Sequence, residues 1–179
     1  VPSELKEMWA KEGEKWLIKN CFTKKIISSK ILRFAGISES LLADQIPHLL
    51  RKNNPTVATY ASTGEVKVRI TAQGNSLNET KRFIKPIEQE LIQLTGLKCY
   101  GKDNETLEEL VFKLLLKRKE TLAVAESCTG GGIGSKLTTI PGSSKIFHGG
   151  VIAYNNSIKK RILGVPEEII NTYGAVSKQ

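Results

Sequence analysis

AVAESCTGGGIGSK, residues Ala123 to Lys136, is the stretch that decides how the chain is read. An apolar run, Leu122 to Ala125, stops at Glu126. Ser127, Cys128 and Thr129 follow, and then Gly130, Gly131, Gly132 and Gly134. Behind the glycines, Ile133, Leu137 and Ile140 recur at spacings of four and three, the period of one helix face. The pattern predicts a strand, a tight turn and a helix start. Such a turn leaves backbone N–H groups unpaired at the positive end of a helix, a site for a phosphate or a developing oxyanion. Glycine supplies the positive φ and the close approach that the turn needs. Ser127 stands where the strand ends, a usual place for a nucleophile. The same glycines also fit a plainer role, close approach of helix to strand.

Two familiar templates do not fit the turn. A phosphate-binding P-loop needs Gly-Lys-Ser/Thr, whereas Gly134, Ser135 and Lys136 come in another order. A dinucleotide fingerprint needs a third glycine where Ser135 stands. ATP and NAD binding by those motifs are therefore disfavoured.

A nucleophilic serine needs a base. His148 is one candidate and Lys159 another, five residues beyond Tyr154, which ends an apolar run from Val151. Around these runs the order is helix, strand, helix, strand, helix, with helices predicted behind Thr106, around Ile158 and Ile162, and from Pro166 to Gly174. That order predicts parallel strands at 121–125 and 151–154. Ser127, Tyr154 and Lys159 would then meet at their carboxyl ends, where open α/β sheets bind ligands. A lysine is a base only when burial or positive neighbours depress its pKa, and Lys160 and Arg161 are adjacent. The alternative is a solvated Lys-Lys-Arg face. Cys128 is a rival nucleophile, with an inert cysteine as its own alternative.

Upstream, residues 2–20 predict a helix with Leu5, Met8, Trp9, Glu12 and Trp16 roughly on one face, which suggests that it packs on something. Strands are predicted at Thr23 to Phe34, Val57 to Ala61, Glu65 to Thr71 and Leu97 to Tyr100. Val66, Val68 and Ile70 alternate with Lys67, Arg69 and Thr71. Ser38 caps a helical stretch that Pro47 breaks or restarts. Ser76 and Glu79 have capping-box spacing ahead of a helix reaching about Thr95, with a kink at Pro86 and Phe83, Ile84, Ile87, Leu91 and Leu94 buried. The order is β-α-β-β-α-β, a small α+β sandwich, and Gly101 to Asn104 reads as the boundary.

The 179 residues are 40% apolar, enough to bury a core in roughly one or two domains. A net charge of +9 permits anionic partners without demanding them. Cys21, Cys99 and Cys128 are widely spaced and odd in number, so reduced thiols are expected rather than a disulfide framework or a zinc site. No apolar run approaches the ~18 residues of a membrane span, and a soluble cytoplasmic protein is expected. The first residue is not Met, and the chain reads as a piece of a longer protein.

AESCTGG (Ala125 to Gly131), PGSS (Pro141 to Ser144), Tyr154-Asn155-Asn156-x-x-Lys159, LGV (Leu163 to Val165) and YGAVS (Tyr173 to Ser177) occur in this order. Together they resemble the C-terminal domain of the competence/damage-inducible CinA proteins, the family of the bacterial nicotinamide mononucleotide deamidase. ILRFAGISES, NPTVATYASTGEVKVRITA and CYGKDNETLEEL resemble the KH-like middle domain of that family, and VPSELKEMW the last helix of the molybdopterin-binding-like domain before it. The resemblance implies residues 1–22 as that helix and a linker, 23–102 as a KH-like α+β domain, and 103–179 as an incomplete three-layer α/β amidase domain. It implies hydrolysis of the amide of nicotinamide mononucleotide to nicotinate mononucleotide and ammonia, without metal or cofactor, by a homodimer. Ser127 would be the nucleophile, Lys159 its general base, and Tyr154 a hydroxyl that orients or relays the proton. Glu126, Thr129, Gly130, Gly131 and Asn156 would contact substrate, with the turn supplying oxyanion donors. The middle domain lacks a G-x-x-G clamp, so a spacer or dimerisation module is favoured there over a nucleic-acid-binding one.

Overall fold

The computed structural model describes residues 2–21 and 25–179, and the side chains of 4–20 and 25–179. Thr23 and Lys24, where the first strand was expected to begin, and the side chains of Pro2 and Cys21 lie outside the described residues. Two compact units divide the chain, residues 1–103 and 104–179.

The first unit opens with α1 (Pro2–Met8), a π-helical turn (Trp9–Gly13) and α2 (Glu14–Cys21). Leu5, Met8, Trp9 and Trp16 are all more than half exposed on it. The rest of the unit is β1 (Ile26–Phe34), α3 (Glu39–Gln45), α4 (Pro47–Leu50), β2 (Thr56–Ser62), β3 (Glu65–Gly74), α5 (Leu77–Thr95) and β4 (Cys99–Lys102). This is the expected β-α-β-β-α-β order. The four strands form one antiparallel sheet, β2-β3-β1-β4. Its core is built from Leu32 and Phe34 on β1, Val66, Val68, Ile70 and Ala72 on β3, and Leu42, Ile46, Leu49, Ile84, Ile87 and Leu91 from the helices.

Local chemistry sets the element ends. Ser38 Oγ accepts the Leu41 N–H, and Pro47 restarts the helix after Ile46. Ser76 Oγ accepts from Glu79 N–H, but the Glu79 carboxylate accepts from Asn75 N–H, one residue earlier than a capping box requires. The helix continues through Pro86. Its buried stripe is Thr80, Ile84, Ile87, Leu91 and Thr95, and Phe83 and Leu94, expected inside, are exposed. The threonines bury because their hydroxyls are satisfied within reach: Thr80 donates to Leu77 O and accepts from Ser28, and Thr95 donates to Leu91 O. The last strand starts two residues later than expected. Gly96, at φ 55, ends α5 and leads into a single 3-10 turn, Gly96–Lys98, that leaves Leu97 in solvent.

The second unit runs α6 (Leu107–Arg118), β5 (Leu122–Glu126), α7 (Gly132–Thr138), β6 (Phe147–Ile152), α8 (Asn156–Arg161) and α9 (Glu167–Tyr173). At α6 the capping box between Thr106 and Glu109 is complete. As expected, the two strands are parallel, with Leu122 beside Phe147 and Glu126 beside Ile152. However, β6 begins four residues before the expected Val151. The Gly149-Gly150 pair gives no strand signal in sequence, but Gly150 lies inside the strand against Val124.

Candidate active site

The parallel register places the ends of β5 and β6 on one edge of the sheet. Beyond Glu126 the chain enters the glycine turn, and beyond Ile152 it runs through Ala153 to Asn155, the cap of α8. Asn155 Oδ1 accepts from Ser157 N–H at 2.8 Å and its carbonyl accepts from Lys159 N–H at 3.2 Å. That cap starts α8 so that its fourth residue, Lys159, points back at the sheet edge. Lys159 is 8% exposed, and its Nζ donates to Ser127 Oγ at 2.8 Å and to Ala153 O at 2.5 Å. Ala153 N–H in turn donates to Glu126 O at 2.7 Å, which closes the circuit between the strand ends.

Both partners of the Lys159 amine are neutral, and among the described residues it has no carboxylate partner. Its neighbour Lys160 is turned outward and paired with Glu167 at 2.6 Å, so its charge is already compensated.

Glu126 differs most from expectation. Its carboxylate is 3% exposed and accepts three backbone N–H groups of the turn: Gly131 and Ile133 at 3.0 Å and Gly134 at 2.8 Å. Burial pushes this carboxyl up, but the bonds from Gly134, the Thr129 side chain, Ile133 and Gly131 together hold it below the usual carboxylate range. Gly130 N–H donates to Ser127 O and Gly132 N–H to Thr129 O. The expected row of free donors at the helix start is therefore occupied by the protein itself. Among the described residues, the amides of Ser127, Cys128 and Thr129 are the turn amides with no hydrogen-bond acceptor. Gly131 sits at φ 97, where a β-carbon would also meet Ile152 Cδ1 at 3.0 Å, so this position requires glycine.

Of the other candidates, Thr129 and Gly130 lie on the exposed side of the turn. Tyr154 is 75% exposed and bonds to no group among the described residues, so it is not joined to the Ser127–Lys159 pair. Asn156 is exposed at the first turn of α8. His148 lies near the Phe147 end of β6, which pairs with Leu122, at the opposite end of the sheet from Ser127. At about 3.3 Å per residue, that separation excludes it as base to this serine. The Cys128 thiol is exposed, while the lysine bond goes to Ser127. Two parts of the site carried no side-chain signal, the Ala153 carbonyl and the bracing by Glu126. The Asn155 cap was legible in principle, since asparagine followed by helical spacing is a start signal. No group of three or more His, Cys, Asp or Glu suited to a metal ion occurs among the described residues. No helix among them is long and apolar enough to cross a membrane.

Residues 104–179 match the CinA C-terminal domain, and residues 29–101 match the damage-inducible protein CinA KH domain. The chain belongs to the CinA family. Among similar CinA-like proteins, one from Prochlorococcus marinus (strain NATL1A) is 80% identical over 178 residues, 99% of this chain and 41% of the relative. One from Synechococcus sp. (strain CC9902) is 48% identical over 178 residues, again 99% of this chain and 42% of the relative. The chain thus spans about two fifths of the length of the curated CinA relatives it matches. Among solved structures, the competence/damage inducible protein CihA from Agrobacterium tumefaciens is 39% identical, over 40% of this chain and 43% of that one, with a TM-score of 0.39.

Proposed function

We propose that this chain carries the catalytic dyad of an amidase, with Ser127 as nucleophile and Lys159 as general base. The observation that supports it most is the 2.8 Å bond between Lys159 Nζ and Ser127 Oγ, made by a buried lysine that has no acid partner among the described residues. As the neutral amine, Lys159 has two N–H donors and one lone pair. One donor stays on Ala153 O, and with the Ser127 hydroxyl turned toward Nζ the bond between them reverses, so that the lone pair accepts the Ser127 proton. Ser127 Oγ then bonds to the carboxamide carbon while its proton passes to Lys159. The oxyanion that forms is met by the amides of Cys128 and Thr129, the first of them adjacent to the nucleophile as in other serine turns. Collapse breaks the C–N bond, and Lys159 returns the proton to the leaving nitrogen, releasing ammonia and leaving an ester on Ser127. Water, deprotonated by Lys159, cleaves that ester to the carboxylic acid, and the proton goes back to Ser127.

The substrate we assign is nicotinamide mononucleotide, hydrolysed to nicotinate mononucleotide and ammonia by a cytoplasmic homodimer. Family membership and the five ordered motifs support this assignment. Ammonia release from nicotinamide mononucleotide tests it, measured on this chain and on the chain continued past Gln179 with the sequence of the 80%-identical relative. Turnover that disappears in Ser127→Ala is the expected result. Absence of turnover in both forms, or turnover that survives Ser127→Ala, overturns it.

A further inference from the structure

We propose that Glu126 is the positioning residue of this site rather than a substrate contact: its carboxylate is the brace that holds Ser127 against Lys159. The inference deepens the amidase reading and rests on it for its functional meaning, but the physical brace can be tested separately.

The turn from Ser127 to Gly132 is built from a chain that resists being held. Gly130, Gly131 and Gly132 are consecutive, the first two at φ 57 and 97, and glycine loses more conformational freedom on ordering than any other residue. Something has to offset that loss. The peptide planes on both sides of Ser127 are tied, the earlier one by Ala153 N–H to Glu126 O and the later one by Gly130 N–H to Ser127 O. The second tie runs to a glycine, and it is no firmer than the turn that carries it. The Glu126 side chain crosses under that turn and gathers Gly131, Ile133 and Gly134 into one carboxylate. It therefore closes a ring from the end of β5 to the first turn of α7, with Ser127 on the ring. Bonds to an ionised acceptor are the strong kind, and buried they have no water to compete with.

A carboxylate is needed for this, not merely an acceptor. One oxygen serves Gly131 and Ile133, and the other serves Gly134. A glutamine in the same place can keep one of these sets, but it turns its own NH2 toward the other. Glu126→Gln therefore preserves shape while releasing one side of the ring. At 3% exposure the carboxylate is also closed to a ligand, so a change in substrate affinity is not its expected effect.

The test reads Lys159, not Glu126. Reductive methylation with formaldehyde and cyanoborohydride labels accessible amines, and mass spectrometry follows each lysine of the 179-residue chain over time. In the parent chain, buried Lys159 is expected to label at least tenfold more slowly than its neighbour Lys160. In Glu126→Gln, with cooperative melting retained, the Lys159 rate is expected to rise at least tenfold while the Lys160 rate stays within twofold. An unchanged Lys159 rate overturns the proposal and leaves Glu126 as a simple cap. If Glu126→Gln does not fold, Glu126→Asp keeps the charge and draws the carboxylate back from the turn amides by one methylene. A rise of about threefold at Lys159 is then expected, and no rise overturns the proposal. In the extended, active form Glu126→Gln is expected to lower kcat at least tenfold with KM within twofold, and a raised KM with kcat intact also overturns it. Failure of the parent protein to release ammonia refutes the amidase reading alone, because the labelling result does not depend on turnover.

Discussion

Gly150 faces Val124 across the parallel pair so closely that a β-carbon built on it would stand 2.4 Å from Val124 Cγ2 and 2.6 Å from the Val124 carbonyl oxygen. The second of these is main chain and cannot swing aside. The contact explains why a strand that feeds the catalytic edge carries a glycine at position 150.

Gly150→Ala is accordingly expected to force β5 and β6 apart. Overpacking of this kind costs roughly 1–3 kcal/mol, with the upper end expected because backbone is struck. Urea unfolding followed by a probe in residues 104–179 should show a lowered midpoint. An unchanged midpoint would mean that the strands separate without cost.

Lys159→Met separates chemistry from stability. Loss of a general base lowers turnover about 10²–10⁴-fold, so ammonia release by the extended form should fall within or beyond that range. Stability should fall by no more than the roughly 1–3 kcal/mol of an unpaired buried acceptor at Ala153 O, because the amine has no acid partner among the described residues and the new side chain is of similar length. Thermal melting beside the activity assay reads both. Lys159→Arg should not restore activity, since a guanidinium holds its proton at any working pH.

The Glu126 carboxyl sets an acid limit. Held below the usual range in the fold, it binds its proton less readily folded than unfolded, where its pKa is about 4.3. Its contribution is present above that unfolded value and is lost as pH falls through the lower folded value. Melting temperature measured from pH 7 down to pH 3 should drop more steeply in the parent than in Glu126→Gln. Parallel curves would show that the carboxylate is not what acid disrupts.

At the other extreme lies Tyr100. Burial first, and then its hydrogen bond to Glu65, push its phenol up to about 12, although Arg33 acts against them. Of the four tyrosines, it should ionise last in an ultraviolet titration. Glu65→Gln should bring that last step toward the ordinary value of about 10. Because the folded value is raised, the contribution to stability is complete below pH ~10 and disappears as pH rises toward 12. Four tyrosines titrating together near 10 would contradict this.

Most of the fold was legible because its signals are local. Val66, Val68 and Ile70 alternate, Thr106 and Glu109 form a capping box, and Pro47 restarts a helix, each readable within a few residues. The Ser127–Lys159 pair was legible from topology, since parallel strands bring their ends together whatever lies between them. What the residues did not disclose depends on through-space fit. Gly150 gave no strand signal because its need for glycine comes from Val124, some twenty-five residues away. Phe83 and Leu94 looked buried, but Thr80 and Thr95 took the inner stripe by finding partners for their hydroxyls. Tyr154, placed by spacing beside the dyad, points to solvent, because sequence separation sets reach and not direction. The donors credited to the helix start were already committed to Glu126, a side chain whose burial no periodicity announces.

Lys159 grips a carbonyl only six residues behind itself, Ala153 O, and the serine of a distant turn with the same nitrogen. The segment between Ala153 and Lys159 therefore works as a measured strap whose length matters more than its composition. Substitutions at Tyr154 or Asn156, which face outward, leave that length alone. One residue inserted after Asn155 would turn the lysine about 100° around α8 and swing its amine off both partners at once. A lineage could vary Tyr154 and Asn156 while keeping the Asn155 cap and being unable to add or drop a single place in the segment.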